Sequence, residues 1–227
     1  LRRYLRERRY WQRIKREAPE QRQSAYALTE RLKPHIDLSA GYFVELGGND
    51  GIRASYTLAL EEQHGWHGLL IEPLPQLARL AQRNRPRSGV VQAACVPDDF
   101  TDSHITMTFA DMMSQVNGAM PAAAAEQHIN DAVSVQRLYY TYRVRVPART
   151  LTSILDAQAV PAIDLLVLDV EGYEASVLRG LDLVRYRPRF LLVEANDRAA
   201  VEALIAPYYQ REVILQEHDT LYIRQDR

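Results

Sequence analysis

Short apolar runs alternate along this chain with segments of helical periodicity. Residues 41–46, 68–71 and 89–96 read as strands, with helices expected at 53–63 and 75–84 between them. Residues 163–169 form an almost unbroken apolar run ending in Asp169, the pattern of a central strand covered on both faces. A helix follows at 173–179, another central strand at 189–194 and a helix at 199–205. Residues 104–109 and 142–146 are extended as well. The chain closes with two extended segments, 211–215 and 220–224, around His218-Asp219, which reads as a hairpin. Strands alternating with helices imply an α/β domain built on a mostly parallel, doubly wound sheet.

Two stretches stand apart from this alternation. Residues 111–140 are irregular, with Met112, Met113, Ser114, Asn117 and Gly118 leading into Pro121 and a run of alanines. A segment of that length between strands is either a lid and substrate wall or a surface insertion. Its position between the two halves of the sheet favours the lid. Residues 1–37 form a basic first unit ahead of a domain at 38–227. Leu1, Tyr4, Leu5, Arg8, Trp11 and Ile14 fall near helical spacing, giving one stripe on an arginine-rich helix. Two readings stand for it. It packs on the domain or a partner subunit, as in a homo-oligomer, or it lies on an anionic membrane surface or polyanionic glycan.

Composition removes several chemistries. A net charge of -1 over 227 residues gives no whole-chain case for a nucleic-acid partner. There is no apolar run long enough for a transmembrane helix, and the basic start lacks the apolar stretch of a signal peptide. The expected placement is therefore cytoplasmic, at most peripheral to a membrane. The one cysteine, Cys95, sits in an apolar run and reads as a packed thiol in a reducing compartment. The only lysines are Lys15 and Lys33, both in the first unit. That excludes a Walker A loop and disfavours a Tyr-x-x-x-Lys reductase site or a pyridoxal-phosphate lysine in the core. The preference for arginine over lysine fits a GC-rich bacterial source.

The most informative stretch is Phe43-Val44-Glu45-Leu46-Gly47-Gly48-Asn49-Asp50-Gly51, followed by Leu70-Ile71-Glu72-Pro73. It reads as a buried strand, a glycine turn with an acidic rim, a helix, and a second strand ending in Glu. That is the order of a nucleoside-cofactor site, with glycines for close backbone approach and Glu72 placed to hold a ribose. The spacing departs from G-x-G-x-x-G, which disfavours a nicotinamide-dependent oxidoreductase. In open α/β sheets, ligands sit at the carboxyl ends of the strands. Asp50, Glu72, Asp169 and Glu194 all fall at such ends, with Glu171 two residues past Asp169.

With Ser55-Tyr56-Thr57, Leu60-Glu61, Gly65-Trp66-His67-Gly68 and Asn84-Arg85-Pro86, this first block resembles the FkbM family of S-adenosylmethionine (SAM)-dependent methyltransferases, in particular its Star-like branch. A second block, Ile163 through Glu174 followed by Val177-Leu178-Arg179-Gly180, is similar to the family's other motif. Gly48 departs from the alanine often found there. The resemblance implies a class I methyltransferase, Rossmann-like sheet closed by the C-terminal hairpin. SAM would then lie among Glu45, Gly47, Gly48, Asn49, Asp50, Gly51, Glu72 and Asp169. Glu45 and Asp50 would accept from its ammonium group, and Glu72 would take both ribose hydroxyls. Asp50 serving its own turn and Glu72 capping the next helix are the plainer alternatives.

The implied reaction is O-methylation of a hydroxyl, on a sugar of a glycan or on a small secondary metabolite. An alkyl hydroxyl needs a base or a metal at neutral pH. Asp169, Glu171, Glu194 and His218 are the candidate bases. Asp169 with Glu194 offers hard oxygens for a divalent cation such as Mg²⁺. His64, His67 and His104 read as bystanders, and Asp164 as structural. The alternative function is a non-catalytic interaction module on the same fold, docking through the basic helix.

Overall fold

The computed structural model describes residues 2–138 and 140–225, with side chains from Arg8 onward. The first element is a long helix, α1 (Arg2–Leu32), with Pro19 inside it. Proline lacks an N–H, so one bond of the helical ladder is missing there, between the helix's first and second halves. Tyr10 and Ile14 in the first half, and Ala25 and Leu32 in the second, are buried. The second half lies on the following helix, with Arg22 and Tyr26 both donating to Glu62 and Thr29 Oγ1 donating to the Tyr56 carbonyl (2.8 Å). The first half places the Tyr10 ring edge-on to Phe109, 5.7 Å between centroids. The helix therefore packs on the domain through Tyr10, Ile14, Ala25 and Leu32; of the expected stripe Ile14 is buried, Trp11 is half-buried and Arg8 is exposed. Leu1 and the side chains of Tyr4 and Leu5 lie outside the described residues.

Then come β1 (Tyr42–Leu46), α2 (Leu58–Gln63), β2 (His67–Ile71), α3 (Pro75–Asn84) and β3 (Gly89–Val91). The middle of the chain holds β4 (Ala94–Cys95), β5 (His104–Phe109), a short 3-10 turn (Asp111–Met113), β6 (Gln115–Val116), α4 (Ala122–Val135) and β7 (Tyr142–Arg149). The remainder is α5 (Leu151–Ala157), β8 (Leu165–Leu168), α6 (Glu174–Arg179), β9 (Phe190–Glu194), α7 (Arg198–Ile205), β10 (Tyr209–Ile214) and β11 (Asp219–Arg224).

Seven strands form the main sheet in the order β10-β11-β9-β8-β1-β2-β3. All neighbours are parallel except β11, which runs antiparallel to β9 and β10. This is the doubly wound class I methyltransferase topology with its closing hairpin. Chain order reverses between β1 and β8, which is where an open sheet opens a crevice for ligand. Alternation along the strands feeds two cores. Val44, Leu46, Leu69, Leu166, Leu168 and Leu191 face one side. Phe43, Leu70, Leu165, Val167 and Leu192 face the other.

Three local differences from the sequence expectation matter. Residues 89–96 are not one strand. β3 stays in the main sheet, whereas β4 leaves it and pairs with β7 in a second sheet ordered β4-β7-β5-β6. β5 and β7 fall on the extended segments expected at 104–109 and 142–146, whereas β6 and α5 have no counterpart in the periodicity. The helix expected at 53–63 begins only at Leu58, because the polar groups of residues 53–57 are committed to side-chain contacts described next.

Candidate active site

A narrow cavity of about 60 Å³ opens at the carboxyl ends of β1, β2 and β8. Gly47, Asn49, Glu72 and Asp169 line it from the main sheet. Met107, Asp111, Met112, Ser114 and Val116 wall it from the second sheet and its turn, so the irregular segment does contribute wall. Three of its lining residues, Asn49 (φ 46°), Asp111 (φ 58°) and Glu171 (φ 56°), hold a left-handed backbone without being glycine. Such positions persist where surrounding contacts over-determine them, and they cluster at working sites.

The glycine turn is fixed by contacts within the protein. Gly47 has φ 79°, and a Cβ there would lie 1.8 Å from the Asp169 carbonyl oxygen. Only glycine lets the first turn pass that close to the end of β8. Gly48 backs onto Leu70 and Gly51 onto Arg85, and neither lines the cavity. Glu45 is likewise turned inward. Its carboxylate accepts from Tyr56 N–H (3.0 Å), Ser55 Oγ (2.8 Å) and Thr57 Oγ1 (2.6 Å). Asp50 accepts from the N–H groups of Ile52 and Arg53 and from Arg53 Nε, each at 3.0 Å. Glu45 and Asp50, expected beside a ligand's ammonium, thus each meet three donors of the chain itself. Arg85, fully buried, closes this layer. Its Nε donates to Glu61 Oε2 (2.8 Å), while its two other nitrogens reach Gly51 O, Ser55 Oγ and both oxygens of Thr57.

Glu72 behaves differently. It lines the cavity, with one oxygen accepting from Asn49 N–H (2.9 Å) and the other from Leu74 N–H (2.8 Å). The first bond ties β2 to the glycine turn, and the second holds the entry to α3. Each oxygen keeps a lone pair for an outside donor. Burial pushes this carboxyl up to about 8, against the pull of those two N–H groups. Cys95 also lines the cavity, and burial pushes its thiol up to about 12, which keeps it neutral and un-nucleophilic.

Asp111 is the hub that sequence reasoning missed. Its Oδ1 accepts from Tyr10 Oη (2.5 Å) and Arg53 Nη1 (2.7 Å), and its Oδ2 from Arg13 Nη2 (3.3 Å). Arg53 in turn donates to Asp50 and, through Nη2, to Asn49 Oδ1 (2.6 Å). One polar chain thus runs from α1 through Asp111 and Arg53 to the glycine turn and Glu72. The only trace of it in the sequence was an aspartate opening the irregular segment.

The acidic end of the cavity holds Asp169 and Glu171. Burial, with Glu194 and Glu171 nearby, pushes Asp169 well above the usual carboxylate range. Burial, then Glu194 and Glu174, pushes Glu171 up to about 8. Glu174 Oε1 accepts from the N–H groups of Val170 and Gly172 and so shapes the turn that presents Glu171. His128 of α4 reaches Glu171 Oε2 at 3.4 Å and the Met113 carbonyl at 3.1 Å. Glu194 and His218 are exposed and do not line the cavity. Glu194 pairs instead with Asp219 across β9 and β11, and His218 sits on the hairpin turn. Of the four residues expected as bases, Asp169 and Glu171 line the cavity and these two stand outside its lining, Glu194 near enough to raise both of the others. Among the described residues no group of three or more His, Cys, Asp or Glu is arranged to hold a metal ion.

The model of the methyltransferase FkbM domain matches residues 45–219. The chain belongs to the FkbM methyltransferase family. A curated relative, "Methyltransferase 1" of Beauveria bassiana, is 30% identical over 152 residues, covering 62% of this chain and 58% of that protein, so the match spans less than two thirds of the relative's length. Among solved structures, a putative SAM-dependent methyltransferase of Methanococcus maripaludis aligns at 10% identity with a TM-score of 0.46, covering 95% of this chain and 92% of its own. A TehB-like SAM-dependent methyltransferase of Corynebacterium glutamicum aligns at 11% and 0.42, covering 96% and 97%. Within this FkbM protein the cavity, Asp111 and Glu171 lie inside the matched span, whereas Tyr10 and Arg13 lie before it.

Proposed function

We propose that this methyltransferase uses SAM to methylate a hydroxyl on a sugar of a glycan or on a small metabolite. The observation that carries the proposal is the pair of perturbed carboxylates at opposite ends of one cavity, Glu72 at the end of β2 and Glu171 past β8. Glu72 has the donor-free, bidentate character that two ribose hydroxyls require once it is ionised. Gly47 and Asn49 present backbone beside it without a bulky side chain. Bound SAM would supply an electrophilic methyl on a sulfonium.

The remaining work falls to the chain's own residues. Gly47, Asn49 and Glu72 hold and orient the nucleoside. Met107, Met112 and Val116 exclude water from above. Glu171 takes the proton from the acceptor hydroxyl as the new C–O bond forms. Its raised affinity for a proton matches a base that operates near neutral pH. His128, 3.4 Å away, holds the carboxylate in place. Asp169 lines the floor between them and shapes the turn through its backbone. Alignment of hydroxyl, methyl and base is the main contribution such a site makes. An intact cavity of this kind supports the catalytic reading over a non-catalytic module.

The test is transfer of labelled methyl from SAM to a panel of hydroxyl-, carboxyl- and amine-bearing acceptors, with products exposed to mild alkali. A methyl ether survives alkali and a methyl ester does not. Products only on carboxyls or amines, at rates independent of Glu171, would remove the proposal.

A further inference from the structure

A second groove, of about 560 Å³, runs between α1 and α3. It lies on the face of α3 opposite the cofactor cavity: Leu77 turns to the cavity, while Gln76, Arg79, Leu80 and Arg83 turn to the groove. From α1, Trp11, Ile14, Lys15 and Ala18 form the facing stripe. The floor is apolar, made by Trp11, Ile14, Leu80 and Ile52. The rim is cationic, with Lys15, Arg79 and Arg83 all exposed. Exposed Arg8 lies one turn before Trp11 on the same stripe.

Among the described residues these four cations have no carboxylate partner. Asp50, the acid in the groove lining, is consumed by Arg53 and two backbone N–H groups. A tryptophan and aliphatic floor edged by unpaired, long-stemmed cations is the composition of a surface that meets headgroup phosphates and the upper acyl chains together. A soluble anion would use the cations and leave the apolar floor without purpose.

We propose that the α1–α3 groove is a docking site for a bilayer carrying anionic phospholipid. Trp11 and Leu80 sit at the acyl boundary, and Arg8, Lys15, Arg79 and Arg83 lie on the phosphates. The docking face is independent of the acceptor's identity, and none of these residues belongs to the cofactor cavity.

The chain carries its own reporter. Of its two tryptophans, Trp66 is buried (2% exposed) and Trp11 is in the groove. The full chain is mixed with vesicles of phosphatidylglycerol and phosphatidylcholine, or of phosphatidylcholine alone. Sedimentation, tryptophan emission and quenching by brominated acyl chains are read. The expected result is binding at least about tenfold stronger to anionic vesicles and weakened by salt. A blue shift and quenching should be lost in Trp11→Phe, and binding should fall at least about tenfold in Arg79→Glu/Arg83→Glu with SAM affinity unchanged. Equal binding to both vesicles, no quenching of Trp11, or full binding by the double variant would overturn the proposal. So would inorganic phosphate reproducing the emission shift without vesicles, which would assign the groove to a soluble anion.

Discussion

Arg85 offers the sharpest perturbation of the frame beneath the glycine turn. Its side chain is fully buried, 2.8 Å from Glu61 and 3.7 Å from Glu45. Arg85→Met keeps the aliphatic stem and removes the cation. Glu61 would keep the Ser88 hydroxyl and the Arg87 N–H, and Glu45 its three donors from residues 55–57. Both carboxylates would nevertheless remain buried without the charge that serves them. Breaking a buried pair from one side costs about 3–5 kcal/mol. The Gly51 and Thr57 carbonyls lose a donor as well, and leaving a buried acceptor unsatisfied costs about 1–3 kcal/mol. Because Met restores some packing, the expected net loss is about 4 kcal/mol, a large part of a domain's typical stability of about 5–15 kcal/mol. With a urea slope of about 2–3 kcal/mol/M, the unfolding midpoint should drop by about 1.5–2 M. Adding Glu61→Gln should recover part of the loss, giving a coupling of about 2 kcal/mol in a double-mutant cycle. A change below about 1 kcal/mol in Arg85→Met, or strict additivity in the cycle, would refute a buried charge frame.

Four further outcomes are expected. SAM affinity should rise with pH and level off above about 8, because bound hydroxyls favour ionised Glu72; below that, calorimetry should show a loss of roughly tenfold per pH unit. The sign for stability is opposite: Glu72 and Glu171 are raised in the folded state, so their contribution is full below about 4.5 and declines as pH rises through about 8, and thermal melts of the free protein should show the decline. Tyr10→Phe with Arg13→Ala should loosen Asp111 and weaken SAM binding by about tenfold, with stability reduced by only about 1–3 kcal/mol; unchanged SAM binding would mean that the brace ends at α1. Glu171→Gln should lower kcat by about 10²–10⁴-fold with SAM affinity nearly unchanged, and should abolish the rise of kcat with pH through about 8.

The main sheet was legible because its strands are short apolar runs covered on both faces, as at 163–169, and because Glu72 and Asp169 stand at strand ends where the fold exposes them. The family blocks named residues without their jobs. Ser55-Tyr56-Thr57, Glu61 and Arg85 were visible as motif, yet only the structure shows that they form one buried frame with Glu45. An acidic residue beside a glycine turn looks the same in sequence whether it faces a ligand or its own loop, and for Glu45 and Asp50 the nearby donors decided it. In the second sheet β5 was legible and β7 in part, whereas β4 and β6, of two residues each, are too brief to read. Asp111, Tyr10 and Arg13 were out of reach since their meeting spans about a hundred residues of chain. His218 and Glu194 occupy the expected sheet edge, but His218 stands at β11, two strands from β8, while Glu194 ends the neighbouring β9, close enough to raise the Asp169 and Glu171 carboxyls; strand order fixes this and periodicity does not.

The central claim is that the cavity at the ends of β1, β2 and β8 binds SAM through Glu72. Calorimetric titration of the protein and of Glu72→Ala with SAM and S-adenosylhomocysteine at pH above 8 tests it most directly. Micromolar binding of both ligands by the protein, lost in a Glu72→Ala variant that still melts cooperatively, is the predicted result. Absence of binding in the unsubstituted protein, or equal binding in the variant, would contradict it.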